Sequence, residues 1–252
     1  TPTCTGLTGN STRASMPDLE IHAAMVHRMD REIGRVIRQL QAMGEWENTL
    51  TLFVSDNGAS AEQIIRGDGH DRQAVPGSGE SYLCLGPGWS TASNTPFRYH
   101  KSWVHEGGIA TPWIVHWPAG IRSRGALRHT PCHLVDIVPT LLDVAGLQRD
   151  PAWRGPHRPP LAGVSLAPAL RRDVEVSREC IFFRHIGHRA LRMGRWKLVS
   201  VHHGRWELYD MEKDRTELHD LAAKYPARVR RMSALWERQH QAFVAQAGEV
   251  RD

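Results

Sequence analysis

Asp56, Asn57 and Gly58 form a run that can serve a hard cation. A carboxylate and an amide oxygen at adjacent positions can reach one ion, and calcium and magnesium take oxygen ligands. The glycine after them permits a positive φ. The same tripeptide is a common turn sequence, so a plain Asx turn stands as the other reading. Lys101 is the second candidate, in the run from Tyr99 through His105 to Gly108. A lysine ammonium is a compact point charge suited to an oxyanion. Gly107 and Gly108 downstream let the backbone pass close to something. A solvated surface lysine is the alternative. Of fifteen histidines, His70, His100, His105 and His116 lie nearest these segments. A lone histidine is more often structural than functional. The chain has no HExxH zinc motif, no G-x-S-x-G elbow and no Walker loop.

The elements around these residues follow from pattern. Pro17 and Asp18 open a helix, because proline suits the first turn and an acid suits the N-terminal dipole. Ile21, Met25, Met29, Ile33, Val36, Ile37 and Leu40 recur at helical spacing, and Gly44 is placed to end the helix. The nearly continuous apolar run 49–54 reads as a strand buried on both faces, as in a parallel sheet. Asp56 and Asn57 then sit at its carboxyl end, where α/β proteins place functional groups. Residues 59–95 are rich in Gly, Ser, Pro and Asp and read as one long loop. A second buried strand spans 112–117. A helix spans 134–147, with Pro139 in its first turn and Gly146 near its end. Residues 148–163 read as a surface connection. Beyond about residue 175 the pattern turns to short strands at 181–183, 189–193, 196–201 and 206–209, followed by a helix from 226 to about 245. The short connections predict antiparallel hairpins. Two units follow: residues 1–175, and a smaller α+β unit at 176–252.

Bulk properties narrow the classes. The chain has 252 residues, of which 40% are hydrophobic, enough for a sizeable core. The net charge is +5, but the basic residues are scattered and form no run of the kind that marks a nucleic-acid-binding tail. No apolar run is long enough to span a membrane. The four cysteines, Cys4, Cys84, Cys132 and Cys180, include no CxxC pair, and both two disulfides and free thiols are open. The sequence sets no oligomeric state.

Four motifs follow in order. Val54-Ser55-Asp56-Asn57-Gly58 comes first, then residues 94–112 with a lysine, four residues and Glu106-Gly107-Gly108. Val135-Asp136-Ile137-Val138-Pro139 follows, and then Trp206-Glu207-Leu208-Tyr209-Asp210 with Asp214-Arg215-Thr216-Glu217 after it. In this order they resemble the arylsulfatase family, and the resemblance covers residues 16–245. It implies an α/β, alkaline-phosphatase-like sandwich, incomplete here, with a small C-terminal α+β subdomain. It implies calcium, or magnesium, held in part by Asp56 and Asn57. Lys101 would contact the sulfate group as a catalytic and substrate-binding residue, and His105 would line the site. The substrate would be a small sulfate ester or a sulfated glycan, and the location periplasmic or extracellular. The family's nucleophile is a formylglycine made from cysteine or serine in C/S-x-P/A-x-R. No such string occurs in these residues, and the family's two other metal aspartates have no counterpart. The resemblance places both in a portion preceding the helix near residue 17. His188 stands where many relatives carry asparagine. A non-catalytic binder of sulfated glycans, and a phosphatase or phosphonate hydrolase of the same superfamily, are the alternative functions.

Overall fold

The structure, a computed structural model, describes residues 16–62, 71, 73–147 and 160–247. Helix α1, Met16–Ala42, opens it. It stops at Gly44, whose φ of +75° only glycine adopts freely. There the amides of Gly44 and Glu45 cap the carbonyls of Gln41 and Leu40. The apolar face forms as the spacing predicts. Much of it stays uncovered, with Met25 and Val36 more than 60% exposed.

Strand β1, Thr51–Val54, pairs with β2, Trp113–His116. The pairing is antiparallel, with Thr51 opposite His116 and Val54 opposite Trp113. This corrects the expectation of a parallel strand buried on both faces. Phe53 and Ile114 are exposed. The β-branched apolar run specifies a strand, whereas direction and cover depend on partners that the local sequence does not encode.

The stretch expected to be one long loop holds helix α2, Gly86–Asn94. Its hydroxyls bond back to carbonyls one turn earlier: Thr91 to Pro87, Ser93 to Trp89 and Thr95 to Thr91. Loop-like composition hid a helix whose serines and threonines satisfy themselves internally. Helix α3, Glu106–Ile109, is a single turn. Helix α4, Ile137–Val144, follows a 3-10 turn at Leu134–Asp136 and ends near Gly146, as the pattern predicts. Asp136 is buried beneath it, paired with Arg178 at 2.7 Å. The short helix α5, Ala167–Arg171, has no counterpart in the sequence reading.

The C-terminal part forms as expected. Strands β3 (Ile181–His185), β4 (His188–Met193), β5 (Trp196–Ser200) and β6 (Trp206–Asp210) make an antiparallel sheet in sequence order. Alternation gives the sheet two working faces. On one, Leu191, Leu198 and Leu208 pack against Met232, Leu235 and Trp236 of helix α6, Pro226–Ala247. On the other, Ala190, Val199 and Tyr209 receive Val104. The segment carrying the candidate lysine is thus pressed onto a sheet that comes roughly 90 to 110 residues later in the chain. Among the described residues Cys132 and Cys180 form no disulfide, and Cys4 lies outside them.

Candidate functional site

Three close backbone contacts tie the candidate residues together. The Gly58 amide donates to the Gly108 carbonyl at 3.0 Å. The Lys101 amide donates to Ala59 at 3.0 Å, and Gly107 donates to Arg98 at 2.8 Å. Asn94 bridges them, accepting from the Ala59 amide at 2.9 Å and donating to the Tyr99 carbonyl at 3.0 Å. Gly58 has no positive φ among the described backbone. Its need for glycine is space: a Cβ there would lie 1.8 Å from the Gly107 carbonyl oxygen. The sequence reading had the right residue and the wrong reason. Gly107 and Gly108 are constrained in the same way, by the carbonyls of residues 98–103. Two residues flanking the lysine, Tyr99 and Ser102, have left-handed φ values of +64° and +79°. This is a wound loop held by its own carbonyls.

A cavity of about 1510 Å³ opens beside this loop, and its lining includes Asp56, Asn57, Lys101, Trp103, Arg192 and Arg215. The three principal candidates therefore face one space. Among the described residues neither Asp56 nor Asn57 has a side-chain partner, so both oxygens are available to a ligand. Lys101 is 41% exposed and stands 3.5 Å from Glu62, a weak surface pairing that a bound anion could replace. A hard cation takes about six to eight oxygens. Asp56 and Asn57 fit as two of them. The described residues contain no group of three or more histidine, cysteine or acidic side chains placed to hold a metal. The donor set here is a partial one.

His105 lies elsewhere. It is fully buried and does not line the cavity. Its ring sits against Tyr99 at 4.6 Å and Tyr209 at 6.5 Å, between the loop and the sheet. Neither ring nitrogen has a hydrogen-bond partner, and Glu207 is 3.8 Å away. Burial, with Lys197 and Arg98 nearby, pushes its pKa down to about 3. The neutral ring is stable only while the fold holds. An unfolded imidazole takes up a proton below about pH 6.5, and the folded one does not until about pH 3. Stability is therefore complete above pH 6.5 and is lost as pH falls through this window, by about 1.4 kcal/mol per pH unit from this group. Urea denaturation should show His105→Phe losing about 2 kcal/mol less than the unsubstituted chain between pH 6.5 and pH 5. Equal losses in both would contradict this.

Of the other histidines, His100 accepts from or donates to Ser90 at 2.8 Å, and burial lowers its pKa. His116 stacks on Trp46 at 4.4 Å. His70 lies outside the described residues. His188 is buried against Trp103 and His202, with ring centroids 4.6 and 4.2 Å apart.

Sequence reasoning missed the charges beneath the loop. Glu106 is buried and meets Lys197 at 2.8 Å and Arg215 at 3.0 Å. Lys197 also stands 2.9 Å from Glu217, and Glu217 accepts the Glu106 amide at 2.8 Å. Burial favours the neutral acid at both carboxyls. At Glu106 the two cations prevail and hold the carboxyl below its ordinary value. Glu217 has Lys197 as its cation, and burial pushes its carboxyl up. The one local signal was a lysine in an otherwise apolar strand at Trp196-Lys197-Leu198-Val199.

Comparison with known proteins gives consistent matches. The family model described as Sulfatase matches residues 6–147, and one described as N-sulphoglucosamine sulphohydrolase, C-terminal, matches residues 97–242. An uncharacterized sulfatase of Schizosaccharomyces pombe is 29% identical in a match that covers 77% of this chain and 37% of that protein. The arylsulfatase of Klebsiella aerogenes is 31% identical in a match that covers 59% of this chain and 34% of its own. A solved structure in complex with its substrate, D-glucosamine-2-N,6-O-disulfate, aligns with a TM-score of 0.59 at 21% identity. It covers 86% of this chain and 39% of that one. The chain spans about a third of the length of the curated relatives it matches.

Proposed function

The chain belongs to the sulfatase family and has its alkaline-phosphatase-like fold, and from that premise we propose that it carries one half of a sulfate-ester hydrolysis site. The observation that supports this is the shared cavity. Two unpartnered oxygen donors, Asp56 and Asn57, and one cation, Lys101, line the same space. In this reading Asp56 and Asn57 would supply oxygen ligands to a calcium or magnesium ion, and that ion would neutralise charge on the ester's sulfate oxygens. Lys101 binds a sulfate oxygen and stabilises the charge that grows as the S–O bond breaks. Glu62 stands 3.5 Å from Lys101, a surface pairing that a sulfate oxygen would displace. The loop carbonyls that wind residues 98–103 fix where the ammonium starts from. His105 supports the loop from behind. The nucleophile would be a formylglycine from a C/S-x-P/A-x-R string outside these residues.

The substrate in this reading is a sulfate ester, on a small molecule or a glycan. The solved relative bound to a disulfated glucosamine supports a sugar ester. No described helix is long and apolar enough to cross a membrane. The location in this reading is the periplasm or the cell exterior. A second reading has one observation in its favour. Arg192 and Arg215 line the same cavity as Lys101, which suits a non-catalytic module that binds sulfated glycans.

Aryl sulfate turnover decides between the two for this chain. We expect the chain alone, with calcium present, to release no detectable sulfate from 4-nitrophenyl sulfate. Joined to a formylglycine-bearing sulfatase segment, it should turn over. Calcium-dependent turnover by the chain alone would contradict the half-site. Silence from a folded joined protein would favour the binding module.

A further inference from the structure

Lys197 is fully buried, and its ammonium lies within 2.9 Å of two carboxylates. It lies on the sheet face that receives the loop, beside Tyr209 in register on β6 and Arg192 on β4. Although it borders the cavity wall, its side chain has no exposed surface, so it is not offered to a ligand. What it touches is Glu106, the first residue of the single-turn helix that Gly107 and Gly108 continue. Glu217 adds a second grip, for its carboxylate accepts the Glu106 amide and its backbone carbonyl accepts from Arg98. Glu217 does this at a left-handed φ of +58°, a strained placement in a non-glycine residue.

From this clamp the contacts run straight to the candidate site. Gly108 accepts from Gly58, the residue after Asp56 and Asn57. Gly107 donates to Arg98, at the start of the wound loop whose Lys101 amide bonds Ala59. Each step is a backbone hydrogen bond between glycine-crowded segments that cannot slide without collision. The charges at the clamp are two anions, Glu106 and Glu217, and two cations that touch them, Lys197 and Arg215, with Arg192 beside Lys197 on β4. Of the two carboxylates Arg215 reaches Glu106, and its half-exposed guanidinium also lies over the Phe97 ring. Removal of Lys197 would leave two buried carboxylates facing each other without the described cation that touches both.

We propose that Lys197 is a positioning residue: by neutralising Glu106 and Glu217 it docks the loop on the C-terminal sheet and so sets Asp56, Asn57 and Lys101 relative to one another. The inference deepens the sulfate-ester reading and rests on it only for the ligand used in its test.

The test uses the chain itself. Backbone amide NMR follows Gly58, Lys101, Gly107 and Gly108, and inorganic sulfate is titrated in. In Lys197→Met these four amides should shift, while the indole of Trp236, on the far face of the sheet, stays in place. Sulfate affinity of the folded protein should fall by about fivefold or more, the scale of coupling between linked sites. If Lys197→Met does not fold, Lys197→Met/Glu217→Gln replaces it, because it removes one charge of each sign. The same shifts and the same weakening are expected there. A lysine that serves stability alone would lower the denaturation midpoint and leave sulfate affinity and the Gly58 and Lys101 amides unchanged, and that result overturns the proposal. Failure of the unsubstituted chain to bind sulfate near Lys101 would strike the sulfate reading, while the amide shifts would still decide the positioning role.

Discussion

Replacing Gly107 with alanine is expected to disrupt the candidate site strongly. The new Cβ would lie 2.2 Å from the Arg98 carbonyl oxygen and 2.3 Å from that of Tyr99. Both obstacles are backbone, so no side chain can swing away. The residue is buried, and its neighbours Val104, His105 and Glu106 are packed on the sheet. Overpacking in a closed core costs about 1–3 kcal/mol, and a contact this short against fixed backbone belongs at or above the upper end. The Gly79→Ala change is the matched control. Gly79 has nothing within 4 Å of its added Cβ and no positive φ, so about 0.5 kcal/mol or less is expected. Urea denaturation of the two variants measures the contrast. Equal and small effects would mean that the loop is not wound as described.

The second large effect concerns Lys101. A hydrogen bond to a charged group contributes about 1.5–3 kcal/mol. Lys101→Ala should therefore weaken inorganic sulfate binding by roughly tenfold or more. In a complete sulfatase carrying this segment, the loss should appear mainly in kcat, by about 10² to 10³, as expected when a group that stabilises developing charge is removed. Stability should hardly change, because Lys101 is 41% exposed and its Glu62 contact is a surface pair. A loss confined to stability would assign Lys101 to the fold instead. Substitution of His105, by contrast, should change acid stability and leave sulfate binding largely intact, because its ring is walled off from the cavity by the loop.

Part of this architecture is legible in the residues alone. Periodicity located α1, and the φ of Gly44 confirms the stop that glycine signalled. The four-stranded meander was legible because each strand alternates and each connection is short. Direction of pairing was not. Strand β1 runs antiparallel to β2, some 60 residues later, and nothing within the run 49–54 encodes that partner. Helix α2 escaped because serines and threonines that bond back to their own turn have the composition of a loop.

The site divides in the same way. Asp56, Asn57 and Lys101 became candidates through the resemblance of their motifs to the sulfatase family, and they line one cavity. His105 was picked out by its place in the same motif, yet its ring is buried between the loop and the sheet, away from the cavity. Glu106, Lys197 and Glu217 were invisible as a group. Lys197 meets Glu106 across 91 positions, and Glu106 meets Glu217 across 111. A charge in a strand normally faces water, and only the docked loop shows why Lys197 does not. The expected boundary near residue 175 is crossed at this point by ion pairs that make the later sheet part of the site's foundation.

Cation and sulfate binding should be linked if Asp56, Asn57 and Lys101 are parts of one sulfate-ester site. The direct measurement is a sulfate titration of the chain with and without calcium, followed at the amides of Asp56, Asn57 and Lys101. Calcium alone should shift Asp56 and Asn57 and bind weakly, at about 10⁻³ M or above, because two oxygen ligands are few. Sulfate alone should shift Lys101. Together, each should tighten the other by the same factor, as linkage requires. Sulfate binding that is indifferent to calcium, or that shifts amides away from Lys101, would contradict the account.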